Sequence, residues 1–107
     1  FEANSTLETI GYHAFYRTNI TSIVIPKSVT EIQREAFGYS GLEVIEFEAK
    51  SKLASIGEAA FEDTNIVSIV IPKSVTEIGD AAFYNITSIV IPKSVKKQVG
   101  INWRGGI

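Results

Sequence analysis

Three Lys-Ser pairs, Lys27-Ser28, Lys73-Ser74 and Lys93-Ser94, each follow a proline directly. A serine beside a lysine is the raw material of a Ser–Lys dyad, in which an amine takes the hydroxyl proton and frees a nucleophile. Here the pair recurs three times in one local frame, S-I-V-I-P-K-S-V. Recurrence at one repeat position points to a structural duty. The serine is expected to bond nearby backbone in the turn after the proline, with the lysine in solvent. His13 is the only histidine, and it falls where other copies of its segment carry Glu35, Ala59 and Ala81. It reads as an exposed turn residue. Glu31, Glu43, Glu46 and Glu48 offer carboxylates for a cation, but their spacing fits no EF-hand loop. No metal and no cofactor are expected. There is no cysteine, no Gly-rich phosphate loop and no catalytic constellation. Three N-x-[ST] sequons, at Asn4, Asn19 and Asn85, bear on the chemistry only if the chain passes through a glycosylating secretory route.

The elements that carry these residues are copies of one unit. Residues 22–32 recur letter for letter at 68–78, and the first eight of them recur at 88–95. The motif I-G-x-x-A-F stands at 10–15, 56–61 and 78–83, and at 32–37 with Gln33 in place of the glycine. The motif phenylalanines, Phe15, Phe37, Phe61 and Phe83, are spaced 22, 24 and 22 residues apart. The strand isoleucines, Ile23, Ile45, Ile69 and Ile89, are spaced 22, 24 and 20. The 24 marks a two-residue insertion within 47–53, and the 20 a two-residue deletion between Phe83 and Ile86. A period in this range is that of a leucine-rich repeat.

Each repeat opens with alternating apolar, β-branched residues, as in Ile20-x-x-Ile23-x-Ile25, which is the period of a strand. Pro26, Pro72 and Pro92 stop three of these strands, because proline has no N–H for a ladder. The second repeat has Glu48 there instead. The stretch T-E-I-G-D-A-A-F that follows is too short for an independent helix. It is expected to form a short bridge and a single helical or 3₁₀ turn. Stacking places like over like. The four isoleucines form one ladder and the four phenylalanines another on the opposite wall. Ala14, Ala36, Ala60 and Ala82 let the coils close up. Residues 1–95 form the solenoid, of about four repeats of 22–24 residues. The pattern decays after Val95, so 96–107, with the only tryptophan at Trp103, is either a cap or the start of a linker.

The motif I-x-I-P-x-S-V-x-x-I-G-x-x-A-F resembles the BspA-type, or Treponema pallidum-type, leucine-rich repeat. The resemblance covers about residues 1–95. It implies a leucine-rich-repeat solenoid with a short parallel β-sheet on one face, and turns with short 3₁₀ or helical segments on the other. Members are typically surface or secreted proteins of bacteria and some parasitic protists, so it further implies a cell-surface or secreted location and adhesion to host or neighbouring-cell proteins. The family carries no catalytic residues to transfer, and no enzyme activity is expected. It often has a cysteine three residues after the Ala-Phe phenylalanine. Thr18, Ser40 and Thr64 stand there in this chain.

Composition agrees with a folded soluble domain. Of 107 residues, 45% are hydrophobic and 21% charged, with a net charge of −2. A pI near 5.4 argues against a nucleic-acid surface, which carries a basic patch. No apolar run approaches the roughly 20 residues of a membrane span. The chain begins at Phe1 inside a repeat and without methionine, and reads as a piece of a longer protein. Phe1, Leu7 and Ile10 are therefore expected to lack a covering coil, and self-association through uncapped ends is expected.

In each strand the residues between the core positions must face solvent. They are Ser22, Val44, Ser68 and Ser88 in one row, and Val24, Glu46, Val70 and Val90 in the next. Beyond the proline turns lie Lys27, Lys73 and Lys93. Two readings stay open. The valines suit a strand and were copied with the repeat, or the strip with its lysine rim is where a protein partner docks. A structural spacer, or an accessory domain of a secreted enzyme, is the alternative to a binding module.

Overall fold

The computed structural model describes residues 1 and 4–95, and the backbone of 97 and 98. The chain winds as a parallel-strand solenoid of about four turns, with nine short strands among the described residues. They are β1 (Thr9–Ile10), β2 (Ser22–Ile25), β3 (Glu31–Ile32), β4 (Val44–Phe47), β5 (Ser55–Ile56), β6 (Ser68–Val70), β7 (Glu77–Ile78), β8 (Ser88–Val90) and β9 (Lys97–Gln98). The odd-numbered strands form one continuous parallel ladder, β1-β3-β5-β7-β9. Within it Ile10 pairs with Ile32, Ile32 with Ile56 and Ile56 with Ile78. β9 extends this ladder past Val95, to Gln98. The rest of 96–107, including Trp103 and the expected cap or linker, lies outside the described residues.

The even-numbered strands correct an expectation. They make no single four-stranded sheet. β2 pairs with β4, placing Ile23 beside Ile45, and β6 pairs with β8, placing Ile69 beside Ile89. Between β4 and β6 there is no pairing, so the isoleucine ladder is cut between Ile45 and Ile69. This junction is where the spacing is 24. The two extra residues lengthen the loop after β4 at the same junction where the pairing on this face is missing.

A second correction concerns the turn segment, which holds no helix or 3₁₀ segment among the described residues. Two positions per repeat have positive φ: His13, Glu35, Ala59 and Ala81, then Arg17, Tyr39, Asp63 and Asn85. A helix cannot contain them. Instead, amides alternate between two destinations. Ala36 N–H donates to Gln33 within its own turn, and Phe37 N–H donates across to Ala60 at 2.8 Å. Gly38 N–H returns to Glu35, and Tyr39 N–H reaches Glu62 at 2.8 Å. The left-handed residues swing every second amide along the solenoid axis. Left-handed geometry costs about 1–2 kcal/mol per non-glycine residue; the coil-to-coil hydrogen bonds offset it.

The core lies between the two walls. Phe37, Phe61 and Phe83 are fully buried and stack face to face, with centroids 5.2 and 6.0 Å apart. Phe15 continues the stack at 5.0 Å but is only half-buried. Ala36, Ala60 and Ala82 are buried beside them, whereas Ala14 in the first coil is exposed. Ser40 and Thr64 are buried, and their hydroxyls donate to the carbonyls of Phe37 and Phe61. Their oxygens in turn accept from the amides of Leu42 and Ile66. After the deletion no such hydroxyl exists, and Ile86 N–H donates straight to Phe83 at 2.9 Å. At the first coil Phe1 is exposed and meets Phe15 edge-on, and Leu7 is half-buried. Ile10, expected to lack cover, is buried.

Candidate protein-binding face

The outward rows of the even-numbered strands stand where the alternation places them. Ser22, Val44, Ser68 and Ser88 are exposed, and so are Val24, Glu46, Val70 and Val90. Val24 is 49% exposed, Val44 52%, Val70 66% and Val90 57%. Single exposed valines are ordinary, but several on one narrow face make a patch. Val67, 69% exposed, joins them and was missed from the sequence. The signal was there: the same repeat position holds Thr21, Glu43 and Thr87, and polar residues there mark it as outward. Lys27, Lys73 and Lys93 are exposed beyond the proline turns.

The interrupted sheet divides this face. A cleft of about 750 Å³ runs between β4 and β6, with Val44, Glu46, Ser68, Val70 and Lys73 among its lining residues. Val24 and Val90 lie outside it. The structure thus gathers four of the expected residues and Lys73 around this opening, places Ser22 and Val24 with Val44 and Glu46 at a smaller hollow of about 450 Å³, and leaves Ser88, Val90, Lys27 and Lys93 outside both.

The serines of the Lys-Ser pairs bond backbone, but backbone of the preceding coil rather than of their own turn. Ser28 Oγ donates to Leu7 at 2.5 Å, and Ser94 Oγ to Lys73 at 2.6 Å. They tie coil to coil. Ser74 breaks the pattern: its buried hydroxyl has no partner. The coil it would bond is the one displaced by the insertion, so the orphaned hydroxyl marks the same defect that opens the cleft.

A different wall carries an aromatic strip that the sequence reading passed over. His13 is exposed and in a turn as expected. However, its ring lies between Tyr12 and Tyr16, at 3.8 and 4.0 Å, and its Nε2 is 2.9 Å from Glu35 Oε1. Arg17 lies over both Tyr16 and Tyr39 at 5.3 Å, and Arg34 over Tyr12 at 5.4 Å. Stacking like over like makes these contacts legible, since Tyr12 aligns with Arg34, His13 with Glu35 and Arg17 with Tyr39. Further along the same row Asn85 Nδ2 donates to Asp63 Oδ1, which occupies the amide of one sequon.

Glu62 sits on this wall among like charges. Partial burial first, then the charges of Asp63 and Glu35, hold its carboxyl above the usual carboxylate range, against the hydrogen bond donated by the Tyr39 hydroxyl. The Tyr39 hydroxyl is pushed up in turn, chiefly by the Glu62 charge. A carboxyl that holds its proton more tightly folded than unfolded favours the fold at low pH. That advantage is lost as pH rises from the unfolded pKa through the folded one. Glu62→Gln is therefore expected to melt above the wild type at about pH 7, with the gap closing towards about pH 4. Melting curves of both proteins across that range check it.

Among the described residues no group of three or more His, Cys, Asp or Glu side chains is placed to hold a metal ion. The glutamates read as cation ligands do not converge: Glu43 precedes β4, Glu46 lies on it and Glu48 follows it, while Glu31 lies on β3. No helix of the described residues is long and apolar enough to cross a membrane.

A search of curated proteins returned no match. Two solved structures resemble the fold. The first is the pneumococcal vaccine antigen PcpA, at 25% identity and a TM-score of 0.73, with 86% of this chain and 26% of that one covered. The second is a leucine-rich repeat protein from Bacteroides ovatus, at 30% identity and a TM-score of 0.54, with 89% of this chain and 33% of that one covered. The chain thus spans about a quarter to a third of the proteins it resembles. The sequence profile described as BspA type leucine rich repeat region (6 copies) matches residues 1–99, the span over which the strands, the proline turns and the Ala-Phe stack repeat in register. The chain belongs to the BspA-type leucine-rich repeat family.

Proposed function

We propose that the chain is a non-enzymatic protein-binding module of a cell-surface or secreted protein, and that it adheres to a partner protein through the face built by β2, β4, β6 and β8. The observation that carries this reading is the exposed valine strip, Val24, Val70 and Val90 with Val44 beside them. Repeat copying accounts for the residue type; it does not require so much apolar surface on one face. The vaccine-antigen status of the pneumococcal structure and the surface habit of the family support the location. The lysine rim suits an acidic or mixed partner surface and would act more on encounter rate than on affinity.

The test is the triple change Val24→Thr, Val70→Thr and Val90→Thr, which keeps β-branching and spares the fold. Beads coated with either protein are compared for adhesion to a panel of immobilised cell-surface and extracellular proteins. Adhesion by the wild type alone, at equal melting temperatures, supports the reading. Equal adhesion moves the site elsewhere. No adhesion by either protein favours a spacer or an accessory domain.

A further inference from the structure

The cleft between β4 and β6 is bordered by two strand edges with unused backbone. In a parallel ladder alternate residues of a strand bond to alternate sides. Val44 N–H donates to Thr21 and Glu48 N–H to Ile25, so these even-numbered residues of the second coil face β2. Ile45 and Phe47 must then turn their amides and carbonyls towards β6. On the far side Ile71 N–H donates to Val90, and Val67 accepts from Ser88. Ser68 and Val70 must therefore face β4. With β4 and β6 unpaired, all four residues present free main-chain groups to the cleft. The floor is apolar, since Ile45 and Phe47 are only half-buried there and Ile69 lies beside them.

The cleft is also polar end to end. Glu43 stands at the amino end of β4, while Lys50 and Lys73 stand past the carboxy ends of the two strands, with the unpaired Ser74 hydroxyl and with Glu48, whose carboxylate is taken up by the Lys27 amide at 2.7 Å. We infer that this cleft takes an extended segment of a partner protein as an intervening strand, parallel to β4 and β6, with a basic residue at its amino end and an acidic residue at its carboxy end. Strand addition satisfies backbone on both edges at once, and pockets for alternate side chains select the sequence. The charges fix the direction, because an antiparallel segment of that sequence would meet like charge at both ends. The inference rests on the reading of this face as the binding face, and adds the form of the ligand.

The probe is the capped hexapeptide acetyl-Lys-Thr-Ile-Val-Ile-Glu-amide, added to the full chain and followed by amide hydrogen exchange. Exchange at Ile45, Phe47, Ser68 and Val70 is expected to slow at least about 10-fold at saturation, because each amide gains a ladder bond. The peptide N-methylated at Val and the following Ile is expected to bind at least about 10-fold more weakly. The peptide with Lys and Glu exchanged should bind a few-fold more weakly, as exposed ion pairs allow, and Lys50→Glu with Lys73→Glu should erase that preference. Deleting Ala49 and Lys50 restores the 22-residue spacing, and should slow the four amides without peptide and abolish binding. The proposal is overturned by four amides already protected in the free protein, by protection that grows with protein concentration alone, by protection confined to Ser22 and Val24 on the outer edge of β2, or by no protection at millimolar peptide. The readout does not depend on adhesion. Loss of adhesion on changing Val24 and Val90, with peptide protection kept, would separate the flanks from the cleft.

Discussion

Phe61→Ala is expected to destabilise the fold by about 3–5 kcal/mol, which lowers the melting temperature by on the order of 20 °C in a domain of this size. Phe61 is fully buried. Its ring has a stacked neighbour on each side, Phe37 at 5.2 Å and Phe83 at 6.0 Å. Truncation removes both stacking contacts and leaves a hole in the middle of the column, where neither neighbour can collapse without breaking its own coil-to-coil amide bonds. In a solenoid the loss falls on two interfaces at once. Phe15→Ala should cost clearly less, because Phe15 is half-buried and has a stacked ring only on the Phe37 side. Urea titration of both variants checks the ranking. Equal losses would mean that the ring column is not what couples the coils.

Gly79→Ala is expected to cost roughly 1–3 kcal/mol, a large loss for one methyl group on a half-buried residue. The reason is proximity and not backbone dihedrals. A Cβ on Gly79 would lie 2.5 Å from Glu58 N and 2.8 Å from Gly57 C, both main-chain atoms of the preceding coil. Backbone cannot swing aside as a side chain can. The coils must part, and the ladder bond from Gly79 N–H to Ile56, 2.8 Å long, stretches with them. Gly57→Ala meets Arg34 N at 2.6 Å and should behave alike. Gly11→Ala is the control. Its Cβ would meet only the Gln33 side chain, at the ordinary contact distance of 3.7 Å, and near-neutral stability is expected. Gln33 stands at the position that is glycine in the other repeats, and its Oε1 accepts the Tyr12 amide at 3.1 Å.

Most of the architecture was legible because the chain repeats itself. Once Ile23 aligns with Ile45 and Phe37 with Phe61, stacking puts each over its mate, and the alternation sends Val24, Val70 and Val90 outward. What was not legible falls into two kinds. The first is backbone geometry chosen by tertiary hydrogen bonds. Nothing about Ala59 or Ala81 announces a left-handed conformation, which alanine disfavours. Ala59 adopts it with its amide reaching the Asp80 carbonyl of the neighbouring coil at 2.9 Å. The second is the consequence of the insertion. The 24-residue spacing is plain in the sequence. Whether two extra residues bulge harmlessly or cut the sheet depends on which backbone groups still meet, and here Ser74 and the facing edges of β4 and β6 lose their partners. The His13 strip follows from the same alignment, which sets His13 beside Glu35 and Arg17 beside Tyr39 one repeat away.

The solenoid is asymmetric: one wall is a continuous ladder, and the face built by β2, β4, β6 and β8 is open in its middle. Amide hydrogen exchange on the free protein measures this directly. Gly57 and Gly79, whose N–H groups donate to Ile32 and Ile56 at 2.8 Å in the ladder, should be among the slowest amides. Ile45, Phe47, Ser68 and Val70 should exchange orders of magnitude faster, although they sit in strands of the same two coils. Uniform slow exchange across both sets would mean that β4 and β6 are paired in solution, and would contradict the open face.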